Sequence, residues 1–89
     1  MRRSREELMD DIEVQKYLDF VLGGYYDVDV ELADLEQNWL ESKDMHGDGE
    51  YVVNSGDCII MDGLTELESA DLYDTLMGTL QQIKEERIG

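Results

Sequence analysis

The chain has 89 residues, which is enough for one domain and too few for two. Its 7 Lys and Arg residues face 23 Asp and Glu residues, so the formal net charge at pH 7 is −16. This charge argues against direct binding to nucleic acid or to an anionic membrane, and no apolar run approaches the roughly 18 residues that cross a bilayer.

The first predicted element is a helix over residues 5–22. Ser4 and Glu7 have the spacing of a capping box, which opens a helix, and the glycine pair at 23–24 ends it. The apolar period is imperfect early in this stretch, so a start near Asp10 is the alternative. The broad apolar face of the helix consists of Leu8, Ile12, Val14, Leu18, Val21 and Leu22.

A second helix is predicted over residues 28–42. Either Asp27 or Asp29 can cap its first turn. Apolar residues recur at the spacing i, i+4, i+7 and i+11, which places them along one stripe of a helix. These residues are Val28, Leu32, Leu35 and Trp39.

Two short runs rich in β-branched residues, 51–53 and 58–61, predict a hairpin over residues 51–61. The four residues 54–57 would connect them, and Asp62-Gly63 would close the second strand.

The last predicted helix covers residues 66–87. Thr65 with Glu68, or Ser69 alone, would open it. Its apolar stripe consists of Leu72, Leu76, Leu80 and Ile83, with Tyr73 and Met77 beside it. The sequence therefore predicts a single α+β domain over residues 1–89, with the element order α-α-β-β-α.

Catalysis is not expected of this chain, because it has only one histidine, His46, and one cysteine, Cys58. Cys58 lies in an apolar strand, where an inert buried thiol is the usual outcome. A lone cysteine forms no internal disulfide, which suits a reducing cytoplasm. We therefore expect a cytoplasmic binding protein that is not an enzyme and holds no cofactor.

The loop from Asp44 to Glu50 resembles part of a calcium-binding EF-hand. Starting at Asp44, the fifth and sixth positions fit as Asp48 and Gly49, whereas the twelfth is Ser55 instead of glutamate. A strand follows where the second helix of an EF-hand should begin. We expect no ordered metal site here.

The acids are unevenly distributed. Between Tyr17 and Ile83 there are 16 acids and one base, Lys43, which leaves 15 net negative charges. Ordinary helix surfaces interleave both signs. The stretch from Asp27 to Glu41 spans about 21 Å of helix, over which one DNA strand carries about six phosphates. The same stretch carries six acids, namely Asp27, Asp29, Glu31, Asp34, Glu36 and Glu41.

In size, acidity and charge layout, the chain resembles small acidic phage inhibitors of host defence, such as DNA-mimic anti-restriction proteins and some anti-CRISPR proteins. The resemblance implies a stoichiometric inhibitor, in the host cytoplasm, of a basic nucleic-acid-binding protein: a CRISPR effector, a restriction enzyme or a nuclease. The six acids would then pair with Lys and Arg residues that otherwise hold phosphates. Tyr25 and Tyr26 are the candidate anchoring residues, although both tyrosines could equally be core residues.

Two other functions fit the same composition. One is an immunity protein that neutralises a nuclease toxin, and the other is a cation-binding regulatory module. The sequence leaves a homodimer open.

Overall fold

The computed structural model describes residues 3–42, 51–56 and 58–88. Within these ranges the chain forms four helices and one antiparallel hairpin, which confirms the predicted α+β class. The elements, in chain order, are α1 (Arg5–Met9), α2 (Ile12–Leu22), α3 (Val28–Ser42), β1 (Tyr51–Ser55), β2 (Cys58–Leu64) and α4 (Glu66–Ile88).

The single helix predicted over residues 5–22 is wrong, because the chain breaks between α1 and α2. Asp11 has extended dihedral angles and its side chain accepts a hydrogen bond from the Glu13 amide at 2.9 Å, so it is the N-cap of α2. Two predicted core residues of α2 face outward instead. Ile12 is 66% exposed and Leu22 is 59% exposed.

The predicted helix ends are otherwise confirmed. Ser4 and Glu7 form the reciprocal hydrogen bonds of a capping box. At the end of α2, the Gly24 amide donates to the Val21 carbonyl and the Tyr25 amide donates to the Phe20 carbonyl, as in a Schellman motif. Gly24 has a φ of +83°, a left-handed conformation that glycine adopts without steric cost.

The hairpin is confirmed, with longer strands and a shorter connection than the sequence suggests. Ser55 pairs with Cys58, so two residues rather than four lie between the strands, and β2 continues to Leu64. The side chain of Asn38 on α3 holds this end of the hairpin, because its Oδ1 accepts from the Gly56 amide at 2.7 Å. A tertiary contact thus supports this end of the hairpin.

The core lies between the hairpin and the helices. β1 packs on α3 and α4, and β2 packs on α2 and α4. The rings of Trp39 and Tyr73 stack at a centroid distance of 4.9 Å and join α3 to α4. The predicted stripe of α4 is buried as expected, whereas Leu32 and Trp39 in the stripe of α3 are only half-buried. Buried apolar residues comprise Leu8, Val14, Tyr17, Leu18, Val21, Val28, Leu35, Tyr51, Val53, Ile60, Met61, Leu64, Leu72, Leu76, Leu80 and Ile83.

Glu68 ties the N-terminal segment to the start of α4. It completes the predicted capping box with Thr65, and its carboxylate also accepts hydrogen bonds from the Arg3 amide and the Arg3 Nε. The Arg3 amide, the Thr65 amide and the Arg3 side chain together lower the pKa of Glu68 from 4.5 to about 2, against the opposing effect of burial.

This lowered pKa predicts a defined window of acid sensitivity. The stabilisation by Glu68 is present above about pH 4.5, where the unfolded-state carboxylate is also ionised, and is lost as the pH falls towards about 2. Glu68→Gln should therefore lower the unfolding midpoint at neutral pH, and the gap from wild type should close at about pH 2. Thermal unfolding of both proteins across this pH range measures the difference in unfolding midpoint. Glu86→Gln, which replaces an exposed glutamate, is the control. A gap that stays constant with pH would contradict the assignment.

None of the helices in the described ranges combines the length and the apolar character that crossing a membrane requires.

Candidate functional site: an acidic helix and an aromatic corner

The acids of α3 lie on two flanks of the helix instead of one face. The side of α3 that contains Val28 and Leu35 is buried against the core. With 3.6 residues per turn, Asp29 and Glu36 fall on one side of this buried stripe, and Asp34 and Glu41 fall on the other. Asp29, Glu36 and Glu41 are exposed, whereas Asp34 is half-buried.

Asp27 and Asp29, at the start of α3, have structural roles within the molecule. Asp27 is the cap of α3, because its Oδ1 accepts hydrogen bonds from the amides of Asp29 and Val30 at 2.9 and 3.3 Å. Asp29 forms an ion pair with Lys84 at 2.8 Å, although 64% of its side chain is exposed. Both carboxylates stay at the surface while performing these roles.

The expectation that Glu31 belongs to the binding surface is wrong. Glu31 is only 8% exposed, and its Oε1 accepts hydrogen bonds from the Tyr17 hydroxyl and the Ser55 hydroxyl, each at 2.8 Å. Burial, and then the neighbouring carboxylate, raise the pKa of Tyr17 above its usual range, so the phenol remains a donor. Glu31 therefore joins α2, α3 and β1 inside the fold and lies out of a partner's reach.

The cations of the described residues are committed to contacts within the molecule. Arg3, Arg5, Lys16 and Lys84 form ion pairs with Glu68, Asp71, Glu13 and Asp29, respectively. The Arg87 guanidinium donates to the carbonyls of Val21 and Leu22 at 2.7 and 3.1 Å, at the negative end of α2. The described ranges contain 19 acids and these 5 bases, so the outer surface is dominated by carboxylates.

Three aromatic rings meet at the corner between α2 and α3, which we call the aromatic corner: Phe20, Tyr25 and Tyr26. Phe20 lies 5.7 Å from Tyr25, edge to face, and 5.4 Å from Tyr26. Tyr25 is 78% exposed, whereas Tyr26 is half-buried and packs against the buried ring of Tyr17. The structure thus leaves Tyr25 available for contacts and makes Tyr26 part of its support.

A shallow cleft of about 450 Å³ opens beside the aromatic corner. Its walls carry both signs of charge, because Lys84 and Arg87 of α4 face the start of α3. The lining residues are Gly24, Tyr25, Tyr26, Asp27, Val28, Asp29, Lys84 and Arg87.

Of the two residues weighed for catalysis, the structure describes Cys58. Cys58 is half-buried and packs against the core, and no described group of three or more His, Cys, Asp or Glu residues could hold a metal ion. His46 and the calcium-like loop from Asp44 to Glu50 lie outside the described residues.

Sequence reasoning missed Phe20, which orients Tyr25, and the burial of Glu31. For Glu31 the signal was present: it lies three residues after Val28 and four before Leu35, inside the apolar stripe. For Phe20 no comparable signal exists, because the ring is 44% exposed on the polar side of α2.

A comparison of the chain with protein-family models, with curated proteins and with solved structures finds no match in any of the three.

Proposed function

We propose that this protein is a stoichiometric inhibitor that occupies the basic nucleic-acid-binding surface of a host defence nuclease complex. The observation that carries the proposal is the internal pairing of the described cations. Arg3, Arg5, Lys16, Lys84 and Arg87 each bind a carboxylate or a carbonyl of the same chain. Each cation thus lies beside a carboxylate or a carbonyl, although Arg5 and Lys16 remain 59% exposed. The excess of 19 acids over these 5 bases among the described residues makes the surface attractive to cationic partners.

The acids of α3 are well placed for this function. Asp29, Glu36 and Glu41 are exposed on a helix of 15 residues, and a helix holds its side chains at fixed spacing. Carboxylates presented in this way can pair with Lys and Arg side chains that otherwise bind phosphates, and Arg binds a carboxylate with two parallel hydrogen bonds. Long-range attraction between opposite charges also speeds the encounter.

The aromatic corner supplies the second part of the proposed interface. Charge pairs at the rim of an interface give rate and specificity more than affinity, whereas a buried aromatic residue often carries much of the binding energy. Tyr25 is exposed and is supported by Phe20. A partner's Arg side chain could stack on this ring as well as pair with the adjacent Asp27.

A capture and competition experiment tests the proposal. The immobilised protein first captures a partner from host lysate at low and high salt. The captured partner is then given labelled nucleic acid, and free protein is titrated in as the competitor. We expect the protein to displace the nucleic acid completely at a fixed molar ratio. The affinity of the protein for the partner should fall as salt rises, because exposed charges are screened over about 8–10 Å. Simultaneous binding of both ligands at every concentration would overturn the proposal. Capture of a nuclease toxin instead of a defence complex would favour the immunity-protein alternative.

A further inference from the structure

The outward side of α3 carries an uncharged stripe with the spacing of a coiled coil. Val30, Ala33, Gln37 and Leu40 follow one another at intervals of three, four and three residues, which are the a, d, a and d positions of a heptad repeat. All four are exposed, and Val30 and Leu40 are 53% and 55% exposed. We call this row the outer seam. It lies on the side of α3 opposite Leu35, which is buried in the core.

Both borders of the outer seam are acidic. In the same heptad register, Asp29 and Glu36 occupy the g positions, and Asp34 and Glu41 occupy the e positions. These are the positions that set partner choice in coiled coils, through charge pairs across the interface. The side-chain Nε2 of Gln37 donates a hydrogen bond to Glu41 Oε1 at 2.7 Å, so an a-position side chain orients an e-position acid.

We propose that the outer seam docks an amphipathic helix with apolar residues at its a and d positions and Lys or Arg at its e and g positions. This inference rests on the proposed function, since the helix would belong to the same basic partner. Charge complementarity selects the occupant. A basic helix pairs with Asp34, Glu36 and Glu41, and competes with Lys84 for Asp29. It does so whether it runs parallel or antiparallel, because both borders carry the same sign. A second copy of α3 would bring like charges together across the seam.

The length of α3 sets the size of the helix that can dock on the outer seam. The 15 residues of α3 span about 22 Å at 1.5 Å per residue, which is about two heptads. Docking of an amphipathic helix is an established mode of recognition that uses anchors at this spacing. Ala33 allows the two backbones to approach closely, while Val30 and Leu40 provide an apolar anchor near each end.

A peptide-binding experiment tests the seam without the natural partner. The probes are a three-heptad synthetic helix with leucine at a and d and lysine at e and g, a scrambled peptide of the same composition, and a helix with glutamate at e and g. We expect the lysine helix to bind about tenfold more tightly than the scrambled peptide, a difference of about 1.4 kcal/mol, and the glutamate helix not to bind. Equal affinity for the lysine helix and the scrambled peptide would overturn the proposal.

Matched variants separate the seam from general surface hydrophobicity. Val30→Gln with Leu40→Gln removes the anchors without changing the charge and should abolish the preference for the lysine helix. Ile59→Gln with Leu67→Gln removes two apolar side chains that are 60% and 59% exposed elsewhere and should preserve it. Equal loss in both variants, with the helical content of each retained by circular dichroism, would overturn the proposal. Sedimentation of the protein alone tests whether a second copy occupies the outer seam. If the wild-type protein forms a dimer and the Val30/Leu40 variant does not, the assignment of a basic helix to the seam would be overturned.

The two proposals can fail separately. If nucleic acid is displaced from the captured partner but the peptides bind without preference, the inhibitor function stands and the outer seam is not its docking site. If the lysine helix is preferred but no nucleic acid is displaced, the seam binds a basic helix in a protein that is not inhibited in this way.

Discussion

Glu31→Ala should destabilise the fold more than any other single acid replacement on α3. It removes the acceptor of two buried hydroxyl groups, those of Tyr17 and Ser55. A buried donor left without an acceptor costs about 1–3 kcal/mol, so the free energy of unfolding should fall by about 2–4 kcal/mol. For a domain of this size the unfolding midpoint should fall by roughly 10–20 °C. Thermal and urea unfolding measure this change.

Three comparisons assign the effect to the buried hydrogen bonds. Glu36→Ala removes an exposed acid from the same helix and should change stability by no more than about 0.5 kcal/mol. Glu31→Gln keeps an oxygen acceptor and should retain most of the stability. Tyr17→Phe should cost less in the Glu31→Ala background than in wild type, because its donor is already unsatisfied there. If Glu31→Ala were as stable as Glu36→Ala, the buried network would have no structural importance.

Neutralising two acids on the flanks of α3 should weaken inhibition strongly while the fold is retained. In Asp34→Asn with Glu36→Gln, one charge is removed from each flank of the helix. Electrostatic attraction acts mainly on the encounter, so we expect association with the captured partner to slow by about tenfold and dissociation to change little. Surface-immobilised binding kinetics at low and high salt measure this, and the two proteins should converge as salt screens the remaining acids.

The matched control is Glu85→Gln with Glu86→Gln, which makes the same change in net charge at exposed positions near the end of α4. This variant should retain most of the association rate if α3 faces the partner. Equal slowing in both variants would mean that only total charge matters and that α3 is not the contact surface. Unchanged kinetics in the Asp34/Glu36 variant would contradict the proposed role of these acids.

Most helix ends could be predicted from the sequence because their causes are local. The capping boxes at Ser4 and Thr65 each involve a side chain and an amide three residues away, and Gly24 ends α2 through its own backbone freedom. The break before α2 is also local, since Asp11 is its N-cap, but the apolar residues around it mimic a continuous helical face.

The candidate site was predicted less completely, because exposure depends on how elements pack. Periodicity assigns α3 a buried stripe, yet it does not reveal that Ser55 from the hairpin and Tyr17 from α2 would enclose Glu31. Packing also explains why Tyr25 is exposed and Tyr26 is half-buried, although the two residues are adjacent in sequence. The turn after Gly24 points one ring outward and packs the other on Tyr17.

Composition and local pattern were thus sufficient for the charge excess, the α+β class and most boundaries, since these depend on neighbours along the chain. The distribution of charge over the surface required the packed structure. Arg3, Lys84 and Arg87 are distant in sequence from most of their partners, and only the docking of α4 against the N-terminal segment and the α2–α3 corner brings them together. Long-range packing therefore decides which charges are neutralised within the molecule and which carboxylates remain for a partner.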